Sequence, residues 1–472
     1  MLFTTLTFFV FACLALAVFW QLRGPSRLWL LAAANAVFYL AAGWPNLLLF
    51  LVASATTYWL GKRLDGPAGK ARMVLGIALN LANLAWFKYA EFLASSLADW
   101  LHLALLDPAL VRGILLPIGI SFYTFQHISY LVDRRQKGLP PAASYLDFWV
   151  YISFFGHSIA GPIMRGHEFL PQVAAAATAR FEPARLRLGL GLFVLGLVKK
   201  IGIATPLAAQ VDPLFSNAAM LSPGEAWAAA ALFAFQIYFD FSAYSDMAVG
   251  IGHMFGFTLP QNFRTPYMAA NGTEFWRRWH VTLSSWIRDY VYIPLGGNRG
   301  GVGRQQLNLF LAMLASGLWH GANWTFILWG AYHGGLLLGH RLWQAVKARA
   351  GWAGFDSRLY RAVAMASFFA LVVVGWVPFR CTTMDDSGAM WMAMANVPEW
   401  GSLLGVKRYL GLAVGLYFLH MLEDRLRQDE PGTARAFLAR TPAALQGALY
   451  AAIAILFCLT ADGGHEFIYF RF

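Results

Sequence analysis

Apolar runs separated by short polar loops recur along the whole chain, at residues 2–20, 28–42, 47–60, 73–97, 188–198, 226–251, 307–318, 324–338, 363–377, 409–419 and 443–459. A helix needs about 20 apolar residues to cross the roughly 30 Å hydrocarbon layer of a bilayer. The longer runs reach that length. The shorter ones, nearer a dozen residues, predict tilted, broken or re-entrant helices. The pattern predicts an all-α polytopic membrane protein with about eleven transmembrane helices plus re-entrant and interfacial helices. No repeat of about 20–50 residues and no soluble domain interrupts it, so 1–472 reads as a single integral-membrane domain. The longest polar interruptions are 252–304, 344–361, 380–408 and 422–442.

Composition agrees: 58% of the 472 residues are hydrophobic and 13% charged, against about 25% charged in a soluble domain. The formal charge of +12 is dispersed over short loops, which points away from nucleic acid and toward the positive-inside bias of membrane proteins. Arg23 and Arg27 follow the first run, whereas the turn Ala42-Gly43-Trp44-Pro45-Asn46 is uncharged. Lys62, Arg63, Lys70 and Arg72 come next, then the acidic linker 99–107, then Arg134, Arg135 and Lys137. This alternation predicts an N-terminus outside the cytoplasm. Arg165, Arg180, Arg185 and Arg187 break it, and a re-entrant segment at 153–164, with Gly156, Gly161 and Pro162, would restore it. In the C-terminal third, Arg425, Arg427, Arg435 and Arg440 are diluted by Glu423, Asp424, Asp429 and Glu430, leaving orientation open. No basic residue precedes the first run, so it reads as a retained helix and not a secretory signal. Cys13, Cys381 and Cys458 form neither a disulfide framework nor a metal-ligand spacing.

The chemistry concentrates in two places. Within 271–292, Trp276, Trp279, Leu283, Ile287 and Tyr290 recur at helical spacing, with Arg277, Arg278, Ser285, Arg288 and Asp289 opposite. This predicts one amphipathic helix, capped by Asn271 or Thr273, with His280 at the border of its apolar stripe. A glycine-rich turn, Ile293-Pro294-Leu295-Gly296-Gly297-Asn298-Arg299-Gly300-Gly301, follows and can bring backbone close to a ligand. The second place is Ser316-Gly317-Leu318-Trp319-His320-Gly321-Ala322-Asn323-Trp324, where His320 lies in a run apolar enough for the bilayer. Ionisable groups at membrane depth are costly and are usually kept for a purpose. His333 is a weaker candidate; His102, His127, His157, His167, His253, His340, His420 and His465 read as structural or interfacial. Gln236, Asp240 and Tyr244, four apart, can form a hydrogen-bonded ladder, with Arg264, Arg277 or Arg278 as partners for the carboxylate. Walker A, dinucleotide and His-Glu-x-x-His motifs are absent, and Gly156-His157-Ser158-Ile159-Ala160 lacks the last glycine of a nucleophile elbow.

These motifs carry a resemblance. Residues 117–126 (Pro117-Ile118-Gly119-Ile120-Ser121-Phe122-Tyr123-Thr124-Phe125-Gln126), 154–163, 240–246, the Trp-Arg-Arg-Trp-His stretch and Leu318-Trp319-His320-Gly321 are similar to the membrane-bound O-acyltransferase (MBOAT) family, in its bacterial polysaccharide branch. The similarity is dense over about 115–345. It implies a helical fold around a central funnel, an essential histidine at His320 and a second catalytic or positioning residue at His280. It further implies a bacterial inner-membrane enzyme that moves acetyl from a cytoplasmic thioester, expected to be acetyl-CoA, toward hydroxyls of an exported polysaccharide such as alginate or cellulose. No permanently bound cofactor and no metal are expected. Periplasmic acetyltransferase or SGNH-hydrolase-like proteins and membrane lipids are the expected partners.

A neutral imidazole, with an ordinary pKa of about 6.5, suits removal of the attacking hydroxyl proton. His320 is the expected base, with His280 holding the thioester or polarising its carbonyl. Asn323 or a backbone N–H near the glycine turn is a candidate oxyanion donor. Trp276, Trp279, Trp319 and Asp240 are candidate substrate contacts, and Arg277 and Arg278 candidates for the donor's phosphates or for anionic headgroups. The rival reading is a transporter, flippase or acyl conduit in which these side chains line a path and make no bonds. Inverted repeats would favour it; the sequence has none.

Overall fold

The computed structural model describes residues 1–101, 113, 116–352, 357–396, 406–428, 441–460 and 467, and among these every regular element is helical. The part of the acidic linker from 102 to 107, His102, His465 and the charges at 429–440 lie outside the described residues. Each apolar run named above falls on a helix. Among the described residues, four helical stretches are long and apolar enough to cross a membrane: Gly69–Ala98, Pro183–Ser216, Pro223–Met254 and Arg358–Arg380. The chain divides into two compact units, Met1–Leu195 with Tyr244–Pro260, and Gly196–Ala243 with Gln261–Phe472.

In the first unit, Ile120–Gln136 is buried along almost its whole length, polar residues included. Hydropathy does not mark this helix as a span, because Gln126, His127, Ser129, Asp133 and Arg134 interrupt its apolar residues. Several of these polar groups are matched by protein instead. His127 Nδ1 lies 2.8 Å from Asn80 Oδ1, and Arg134 donates to Gly61 O and Asp65. Gly61 and Gly76 make the close packing possible, since a Cβ there would come within 2.5 Å and 2.6 Å of Tyr130 and Leu131. Arg27 is buried too; its guanidinium donates to Phe19 O, Leu22 O, Ala176 O and Ala179 O, carbonyls left without helical partners.

The segment expected to be re-entrant has no regular helix between Tyr145–Ser153 and Gly166–Ala176, and residues 154–164 are all buried. Side chains replace the missing backbone ladder: Asn35 accepts from Phe155 N and donates to Ser153 Oγ. Irregular backbone at such depth is tolerated only when it is satisfied by protein in this way.

The second unit is organised by a helical hairpin, Val302–His320 followed by Trp324–Arg349. Gly317 and Gly330 bring the two backbones together; a Cβ at Gly317 would stand 2.2 Å from Phe326 O, and one at Gly330 2.6 Å from Met313 O. Two expectations need correction. The single amphipathic helix over 271–292 is broken into Gly272–Trp276, Val281–Ile287 and a π-helical turn Arg288–Tyr292. Helical periodicity survives because both pieces share one buried side, but residues 277–280 turn the chain. Asn271 does cap the first piece, accepting from Glu274 N. The polar stretches 344–361, 380–408 and 422–442 carry helix as well: Trp324–Arg349 and Lys407–Gln428 run on into two of them, and Met384–Ala395 lies in the third. Finally, Asp240 pairs with Lys200, and among the described residues no ion pair joins it to Arg264, Arg277 or Arg278.

Candidate active site

The strand-like segment after Pro260 and the turn at 277–281 face one another in the second unit. Arg264 N donates to Arg278 O, and Val281 N to Asn262 O, both at 2.9 Å. This pairing places His280 at the entrance of Val281–Ile287 in a left-handed conformation, φ 42° and ψ 55°. Such a backbone is uncommon outside glycine, although histidine, like asparagine and aspartate, adopts it more readily than most residues. His280 is fully buried. Its Nδ1 lies 3.0 Å from Asn262 Oδ1, and its Nε2 meets no hydrogen-bonding group among the described residues. The rings of Phe241, Phe263 and Trp319 enclose it. Burial pushes this imidazole down to about 3, and its own backbone carbonyl offsets that only in part.

His320 closes Val302–His320 and is buried. Gly321 must follow it, because a Cβ there would fall 2.1 Å from the Phe326 ring. The imidazole stands edge-on to Trp329, with centroids 4.9 Å apart, and to Phe379 at 5.1 Å. The Trp319 indole lies against both histidines, 5.9 Å from His280 and 5.0 Å from His320. Two residues forty apart in sequence thus share one aromatic partner.

Around this pair the tryptophans form one cluster. Trp279 packs on Trp376 at 4.7 Å, Trp376 on Trp329 at 6.0 Å, and Trp276 on Trp329 at 5.7 Å. The indole N–H groups of Trp279 and Trp329 have no acceptor among the described residues. His333 is also in the cluster, stacked on Phe275 and edge-on to Trp276. Gly375 leaves it room, since a Cβ there would be 2.9 Å from His333 Nε2. Periodicity gave no reason to place Trp376, Phe379 or Asn262 here; the Trp376-Val377-Pro378-Phe379 stretch in an apolar helix was the available signal for the first two.

The other sequence candidates sit at the margins of this cluster. Asn323 caps Trp324–Arg349: its Oδ1 accepts from Thr325 N at 3.0 Å and its Nδ2 donates to Thr382 O at 2.8 Å. Arg278 is held between Glu274 (2.9 Å) and Asp424 (3.2 Å), whereas Arg277 is exposed. Asp240 belongs to a buried ionic group with Lys200, near which Lys199 pairs with Glu423 at 2.7 Å. Tyr238 donates to the same Glu423, and His420 accepts from Tyr267 N. This network links the helix Lys407–Gln428 to the turn that carries His280. Lys199-Lys200 at the end of one apolar run and Asp240 within another were its legible trace. The glycine turn forms as expected, with positive φ at Gly296, Gly297, Gly300 and Gly301.

Chemically, the arrangement offers two imidazoles in an aromatic, apolar enclosure, where proton transfer and charge stabilisation are stronger than in water. Comparison with known proteins narrows the chemistry. The sequence model of the membrane-bound O-acyltransferase family matches residues 134–373. The chain is 40% identical over 403 residues to a probable alginate O-acetylase of Pseudomonas aeruginosa, spanning 83% of this chain and 74% of that protein. It is 36% identical over 339 residues to a peptidoglycan O-acetyltransferase of Helicobacter pylori, 67% of this chain and 63% of that one. A teichoic acid D-alanyltransferase of Bacillus subtilis is 26% identical over 275 residues, 56% and 68% of the two chains. With the family match spanning both histidines and the helices that hold them, this chain belongs to the membrane-bound O-acyltransferases.

Proposed function

We propose that this enzyme transfers acetyl groups from a cytoplasmic thioester, acetyl-CoA, toward hydroxyls of an exported envelope polysaccharide. His320 acts as general base, and His280 beside it orients the reacting groups. The acceptor hydroxyl gives its proton to His320 as its oxygen attacks the thioester carbonyl. The tetrahedral intermediate then collapses, and the thiolate leaves with the proton returned by the imidazolium. The observation that supports this most directly is that both histidines are buried against one indole, inside the family's matched region. The similar proteins are named for alginate, peptidoglycan and teichoic acid. These polymers differ in backbone but all offer hydroxyls, so the polymer class, with alginate or cellulose as members, is part of the proposal. So are the inner-membrane location, about eleven spans around a funnel, an N-terminus outside the cytoplasm and delivery to a periplasmic partner acetyltransferase.

The test is transfer of radiolabelled acetyl from acetyl-CoA in membranes holding wild type or His320→Ala at equal protein level. Loss of transfer by at least about 100-fold is expected for removal of the base. Unchanged acetyl chemistry would overturn the assignment and bring the transport reading forward.

A further inference from the structure

Thr282 decides which way the Asn262 amide faces. Its backbone N–H, which can only donate, points at Asn262 Oδ1 at 3.2 Å, and its hydroxyl donates to the same oxygen at 2.9 Å. The atom facing His280 is therefore the carbonyl oxygen, an acceptor only. His280 Nδ1, 3.0 Å away, must carry the ring proton. That leaves Nε2 as a bare lone pair, buried and without a donor among the described residues. The left-handed backbone at His280 and the Val281 N to Asn262 O bond hold the ring in this setting.

We infer that Asn262 is a positioning residue that fixes His280 in the Nδ1–H tautomer, so that Nε2 accepts a hydrogen bond from a substrate O–H or N–H. This rests on the reading of His280 as part of the reaction and restricts it. A neutral imidazole with a bare Nε2 cannot polarise a thioester carbonyl, which requires a donor. It can receive a neighbouring hydroxyl of the acceptor sugar or an amide N–H of the acyl donor. Among the described residues, the rings packed on the imidazole are those of Phe241, Phe263 and Trp319, none of them charged.

Asn262→Asp separates positioning from mere clamping. It keeps an acceptor for all three donors but sets a negative charge beside Nδ1–H, which favours the imidazolium. Protonation at Nε2 would then turn the acceptor into a donor. Acetyl transfer should be measured from pH 8.5 to pH 5.5 in purified wild type, Asn262→Asp, Asn262→Ala and His280→Ala. The Asp variant is expected within about threefold of wild type at the alkaline end and about tenfold or more below it, relative to wild type, at the acid end. Superimposable profiles, with His280→Ala inactive, would overturn the role of Asn262 alone. An active His280→Ala would overturn the reading of the site instead. A second measurement needs no Asn262 variant to fold: nitrogen NMR of histidine-labelled wild type, with His280→Asn to assign the signal. A neutral Nδ1–H tautomer is expected at His280, and an Nε2–H tautomer would overturn the proposal.

Discussion

His280 shows how far residue type and burial together determine behaviour. An unfolded chain carries this histidine near pKa 6.5, whereas burial in the folded protein lowers it to about 3. Between those values the unfolded state binds a proton that the folded state does not, so stability falls as pH drops below about 6.5. One such group contributes a slope of about 1.4 kcal/mol per pH unit. Thermal unfolding in detergent should therefore show His280→Asn losing less stability than wild type between pH 7.5 and pH 5. Identical losses would mean that the imidazole is protonated or solvated in the folded protein. The two histidines were legible from the sequence because ionisable groups beside tryptophans in apolar surroundings are rare. Asn262 was not, since nothing in local spacing relates position 262 to 280; only the backbone pairing of the turn does. The uses of Asn323 and Arg278 were hidden for the same reason, as their partners Thr382 and Asp424 are far along the chain.

At the scale of elements, hydropathy found the helices whose surfaces are apolar and passed over Ile120–Gln136, which is buried by protein on all sides and can therefore be polar. Periodicity found the 271–292 region but could not see that His280 adopts a left-handed turn inside it. The buried pair Lys200–Asp240 joins Pro223–Met254 to the π-helical turn Val198–Ala204. Removing one partner takes the ion pair from a charge that stays buried. Lys200→Ala is expected to cost about 3–5 kcal/mol, while Lys200→Met combined with Asp240→Leu should recover most of it. Denaturation of the purified protein in detergent checks this; a double variant as weak as the single would show that the pair does more than neutralise itself.

For the whole molecule, loop charge is the quantity that sets orientation, because it acts during insertion and not through packing. With all native cysteines replaced, Lys70→Cys is expected to react with a membrane-impermeant maleimide only after the cytoplasmic face is opened, and Ala41→Cys from the outer face. The reverse pattern would invert the proposed topology. The sequence by itself determined the helical membrane class and the family and marked the two histidines as candidates, because hydropathy, loop charge and linear motifs are written in consecutive residues. The tertiary structure alone decided that both histidines share Trp319, that Trp329, Trp376 and Phe379 enclose His320, and that Asn262 holds the ring of His280. Those relations depend on close approaches such as Gly317 to Phe326 and Gly375 to His333. They are set by which surfaces pack together, a property of side chains distant in sequence that no local pattern records.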